Sequence, residues 1–155
     1  MESKELLIQK LRRDITLALK HLKVSAEKSG DKWININLLN KFGTFPFLVA
    51  IFYSNRNRKI NLVGERDEIH IGVMFRVDQI KTQEEHKRPI TKKVGYAWQN
   101  IGNVIHPFAP LSNGLDFNDS TKTDLTDKDD YEKTKRWALA LIIKSIEKVM
   151  KIIKV

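Results

Sequence analysis

Phe47-Leu48-Val49-Ala50-Ile51-Phe52-Tyr53 is seven apolar residues in a row, and the polar turn residues Ser54-Asn55-Arg56-Asn57-Arg58 follow at once. A run this short, β-branched and aromatic, with no polar residue on alternate positions, fits a central strand covered on both faces, with a short buried helix as the alternative. Upstream, Trp33 to Leu39 alternates Ile34, Ile36 and Leu38 with Trp33, Asn35 and Asn37, which predicts a half-buried strand. Gly43, Thr44 and Pro46 break the chain between them, and Pro46, lacking an N–H, suits the first residue of the second strand better than its middle.

Downstream, Ser54 to Lys59 predicts a hairpin turn into a short strand at Ile60 to Val63, closed by Gly64. Glu68 to Ile80 then alternates most clearly of all. Ile69, Ile71, Val73, Phe75 and Val77 share one face, while Glu68, His70, Gly72, Met74, Arg76 and Asp78 share the other. Residues 81–93 are polar and contain Pro89, as a solvated connection or an irregular strand edge would. Residues 94–108 fit one more strand with a packed loop or short helix.

Helical patterns flank this β region. Leu7, Leu11, Ile15, Ala18, Leu22 and Ala26 recur three or four apart, predicting a helix from Lys4 to Lys28 stopped by Ser29, Gly30 and Asp31, with Lys10, Arg13 and Lys20 pointing away. At the other end a helix is expected from Lys128 almost to Val155, with Thr126 and Asp129 at capping-box spacing. Its apolar arc, widened by Trp137, Leu139, Ile143 and Met150, calls for more than one neighbour: the sheet and first helix, or a second subunit. The fold class is therefore α+β, an antiparallel sheet of about four to five strands flanked by long N- and C-terminal helices. We expect one compact domain over 1–155, with an exposed acidic loop at 112–127.

The chain has 155 residues and 41% hydrophobic side chains, enough for one core. It has no cysteine, which excludes a disulfide framework and thiolate chemistry. No apolar window reaches the length of a membrane span and no secretory h-region opens the sequence, so a cytoplasmic protein without integral membrane association is expected. Net charge is +9, unevenly spread: residues 31–60 carry +4 and 131–155 carry +5, while 112–130 carry −4.

No constellation reaches a diagnostic active site. Glu68, His70, Arg76 and Asp78 fall in one row of a strand, an arrangement able to bind an anion or move a proton, although a solvated strand face carries mixed charge in any case. Asp78 followed by Glu85, His86 and Lys87 resembles in outline the PD-(D/E)xK nuclease pattern. That resemblance implies a divalent cation held between Asp78 and Glu85 with Lys87 nearby, and a nuclease built on it would draw in Glu68 from the strand row. No proline precedes Asp78 and the separation is short, so a charged surface connection is the simpler reading. His21, His70, His86 and His106 show no ligand spacing, so neither metal nor cofactor is expected.

The basic residues speak for a polyanion. Arg56, Arg58 and Lys59 at a hairpin tip, with Lys92 and Lys93 near Tyr96 and Trp98, offer phosphate contacts beside aromatic rings. The leading expectation is a small basic protein that binds DNA or RNA through the phosphate backbone. The alternatives are a non-catalytic regulator or inhibitor docking a protein partner, or a homodimer, through the C-terminal helix or the acidic loop, and a divalent-metal nuclease.

Overall fold

A computed structural model describes residues 4–29, 33–40, 43–53, 66–76, 80–82 and 116–152. In chain order the elements are α1 (Lys4–His21), β1 (Ser25–Ser29), β2 (Trp33–Asn40), β3 (Gly43–Tyr53), β4 (Asp67–Phe75), β5 (Lys81–Thr82), β6 (Asp116–Thr123) and α2 (Lys128–Ile152). Among the described residues, five strands in the order β1-β2-β3-β4-β6 form one antiparallel sheet, and the two-residue β5 pairs with the start of β3. The fold is α+β, with both helices packed on one face of this sheet: α1 over β1 and β3, α2 over β4 and β6.

Strand periodicity explains that packing. Phe45, Phe47, Val49 and Ile51 of β3 and Ile69, Ile71, Val73 and Phe75 of β4 are buried on alternate positions, and the register sets Phe47 opposite Phe75 and Ile51 opposite Ile71. They meet Ile8, Leu11, Ile15 and Leu19 from α1 and Ala138, Ile142, Ile146 and Val149 from α2 in one core cluster. Each fully buried large aliphatic side chain contributes about 1.5–3 kcal/mol, which makes this cluster the main stabilising element. The opposite face is also withdrawn from solvent at its centre, where Pro46, Ala50, Gly72 and Met74 are buried. The double-sided apolar run of β3 thus has the central, two-face-covered position expected of it.

Four local expectations are corrected. The first helix ends at His21, not Lys28. Lys23 adopts a left-handed backbone (φ 62°) while Val24 N–H donates to the Leu19 carbonyl at 2.9 Å, a C-terminal cap made without glycine. Beyond it Ala26 is buried between exposed Ser25 and Glu27, and the segment pairs with β2. Second, Pro46 lies inside β3, not at its start. Its carbonyl accepts Arg76 N–H at 3.0 Å, and with no N–H of its own it cannot return the bond, so β4 stops at Phe75 rather than running on to Ile80.

Third, the stretch read as an acidic loop holds β6, whose residues 116–123 pair with β4 from Asp67↔Thr123 to Met74↔Asp116. Cross-strand pairing and contact with α2 override a composition rich in aspartate and threonine. Fourth, the cap of α2 is Asp127, whose Oδ2 accepts Asp130 N–H at 2.9 Å, while Thr126 turns back to Asp124 Oδ1. The expected turn and strand at 54–63, the connection over 83–93 and the elements at 94–108 lie outside the described residues.

Gly43 opens β3 at φ 144°, and a Cβ there would stand 2.0 Å from the Lys81 carbonyl oxygen. Gly43→Ala is therefore expected to cost about 1–3 kcal/mol through backbone strain and to push β5 off β3. Chemical denaturation gives the first, and faster amide hydrogen exchange at β5 with β2 and β3 unchanged gives the second.

Candidate functional site

The β4 face that carried the proposed row of Glu68, His70, Arg76 and Asp78 is not a solvated charged surface. Glu68 is exposed at one end and stands opposite Lys122 of β6. His70 is half-buried, its ring 5.4 Å from that of Phe52, and Gly72 and Met74 beyond it are buried. Asn118 of β6 lies opposite Gly72 on the same face. Among the described residues, the buried His70 Nε2 and both amide atoms of Asn118 have no hydrogen-bond partner. Arg76 is half-buried at the far end of the row.

Asp78, Glu85 and Lys87 lie outside the described residues, so the carboxylates of the nuclease-like pattern are represented here by Glu68 alone. Among the described residues no group of three His, Cys, Asp or Glu side chains is placed to hold a metal ion. Arg56, Arg58, Lys59, Lys92 and Lys93 likewise lie outside the described residues. No described helix is long and apolar enough to cross a membrane.

What the described residues do offer is a charged outer face on the helix layer. On α2, Lys133, Arg136, Lys144, Lys148 and Lys151 are exposed, and between 133 and 151 Glu147 is the one exposed acid among them. On α1, Lys10, Arg13 and Lys20 are exposed on the side away from the sheet. Helical periodicity produces this segregation, since the apolar arc that fills the core leaves the cations on the opposite arc. The wider part of the α2 arc, Trp137, Leu139, Ile143 and Met150, is half-buried rather than open, and the Trp137 indole N–H donates to Asp119 Oδ2 at 3.0 Å.

Asp14 and Glu132 in this layer are engaged. Asp14 is within 3.5 Å of Arg13 and accepts a short hydrogen bond from the Tyr131 hydroxyl, while Lys10 Nζ lies 5.2 Å from the Tyr131 ring centre. Glu132 pairs with Lys135 at 3.0 Å. A second polar seam ties α1 to the sheet. Buried Arg12 donates from Nε (2.9 Å) and Nη2 (2.5 Å) to the Ile51 carbonyl, Tyr53 donates to the Lys4 carbonyl at 2.9 Å, and Lys4 Nζ meets Asp67 at 2.8 Å. Sequence reasoning assigned no role to Arg12, Asp14 or Asn118. The available signal for Arg12 was its place beside Leu11 on the apolar arc.

Burial raises the pKa of Tyr131, helped by its hydrogen bond to Asp14 and by that carboxylate's charge; burial and the charges of Asp67 and Glu5 raise that of Tyr53. Because the folded pKa lies above the ordinary 10.0, the stability these neutral phenols contribute is fully present below pH 10 and is lost as pH rises beyond it. Denaturation midpoints are expected to hold up to pH 10 and fall above it, with a smaller fall in Tyr131→Phe.

Comparison with protein-family models, curated proteins and solved structures finds no match to this chain.

Proposed function

We propose that this protein is a non-catalytic, basic nucleic-acid-binding protein that holds the phosphate backbone by electrostatic contact. The observation that carries the reading is the outer face of α2, where five exposed cations stand against one exposed acid over 133–151. Lys10, Arg13 and Lys20 of the neighbouring α1 extend that face. A fixed array of ammonium and guanidinium groups attracts phosphates and releases their counterions, a mode that needs no catalytic constellation. Arg56, Arg58, Lys59, Lys92 and Lys93 are proposed as further phosphate contacts, in keeping with the net charge of +9.

The test is fluorescence anisotropy with labelled DNA and RNA between 50 and 200 mM salt. Five phosphate contacts give a log–log slope near −4.5 on duplex, so affinity should fall about 500-fold across that range. Replacing Arg56, Arg58, Lys59, Lys92 and Lys93 by glutamine should weaken binding to all sequences alike and flatten the slope. Affinity indifferent to salt would refute the reading.

A further inference from the structure

We infer that the polyanion bound by the helix layer is double-stranded nucleic acid, gripped on both of its phosphate backbones and without regard to base sequence. This rests on the reading of the preceding subsection and specifies its ligand. The observation behind it is that the exposed cations lie on two rigid elements rather than one.

On α2 the residues Lys133, Lys144 and Lys151 fall within about 20° of one line along the helix, at 100° per residue, with Arg136 and Lys148 flanking them. From Lys133 to Lys151 the row is roughly 27 Å long at 1.5 Å per residue. On α1, Lys10, Arg13 and Lys20 form a second row on the same outward side, with exposed Leu17 between Arg13 and Lys20. The two helices lie side by side on one sheet face and touch where Tyr131 meets Asp14. Packed helices place their axes about 8–10 Å apart. Two phosphate strands flank a minor groove about 6 Å wide and a major groove about 12 Å wide, a separation of the same order. A flexible single strand presents one backbone and has no feature to match a second fixed row.

The same geometry argues against base reading. Each helix has one side embedded in the core and the two lie side by side, so the layer meets the duplex as a pair of cation rows rather than as one projecting helix. The exposed positions of α2 between 133 and 151 are lysine, arginine, alanine and glutamate, with no amide or hydroxyl side chain among them, and a row made almost wholly of cations goes first to phosphate.

The experiment uses the full chain with two unrelated DNA duplexes of about 20 base pairs, an RNA duplex of the same length and the matching single strands. At about 20 base pairs the roughly 68 Å probe exceeds the cation row. We expect both DNA duplexes to bind with equal affinity, duplex to bind tighter than single strand, and a steeper salt slope on duplex. Lys144→Gln with Lys151→Gln, and separately Lys10→Gln with Lys20→Gln, should each flatten the duplex slope by about 1.8, with circular dichroism unchanged. Single strands bound as tightly as duplex, or a slope untouched by the α1 pair, would overturn this inference while leaving backbone binding in place. No binding to any nucleic acid at low salt would remove both, and capture by phosphatidylserine vesicles alone would reassign the face to a lipid surface.

Discussion

Ile71→Ala is expected to lower the free energy of unfolding by about 3–4 kcal/mol, read as a shift in denaturant midpoint at unchanged m-value. Ile71 is fully buried on β4, opposite Ile51 of β3 and Asp119 of β6, beneath the helix layer. Removing its three outer carbons loses their transfer free energy and leaves a cavity, because strands paired on both sides have little freedom to close in. A marginally stable domain holds about 5–15 kcal/mol in total, so this single change removes a large share. A loss under about 1 kcal/mol would mean that the two layers collapse readily onto one another and that the core is less tightly specified than its burial indicates.

Arg12→Ala is expected to cost about 3–5 kcal/mol, and Arg12→Met markedly less. Arg12 is 2% exposed, and its guanidinium delivers two N–H donors to the Ile51 carbonyl, joining the buried side of α1 to the end of β3. Alanine removes the packed stem together with those bonds, leaving a cavity beside a backbone acceptor. Methionine keeps most of the volume and also abolishes the cost of keeping a charge out of water, a cost that buried ion contacts seldom recover in full. Equal losses for the two variants would show that the hydrogen bonds, not the stem, hold α1 in place. In that case Tyr53 and Asp67, which hold Lys4 in the first turn of the same helix, should also detach, visible as faster exchange at the start of α1.

The parts of the fold legible in the sequence are those where a single period dominates. Phe47 to Tyr53 reads as a two-face-covered strand because burial on both sides removes polar alternation, and Ile69, Ile71, Val73 and Phe75 mark one face of β4. Leu7, Leu11, Ile15 and Leu19 mark α1 equally well. Legibility fails at Lys23, where a lysine takes the left-handed position that glycine would advertise, so the change from helical to strand period at Val24 passes unnoticed. It fails again at β6, whose polar sequence becomes a strand through pairing with β4, a long-range cause that local propensity does not contain.

The candidate site divides in the same way. Lys133, Arg136, Lys144 and Lys151 are legible as an outward arc because the apolar stripe fixes which side is buried. Arg12 is not, since a charged residue within an apolar arc is ordinarily placed at its solvated border. On β4 the shared face of the row is legible and its burial is not. Glu68 and His70 share a face with Gly72 and Met74, and it is the burial of those two that withdraws the face from water.

Pro46 has a consequence for how the sheet assembles. A strand as uniformly apolar as β3 has weak internal bookmarks, and sliding it by two residues along β4 would keep every side chain on its original face. A slide that carries Pro46 inward would move the imide nitrogen from the end of the β4 ladder, where a single donor from Arg76 suffices, to the step opposite Met74, which needs a bond in each direction. The ring thus serves as an end-stop against slippage in that direction.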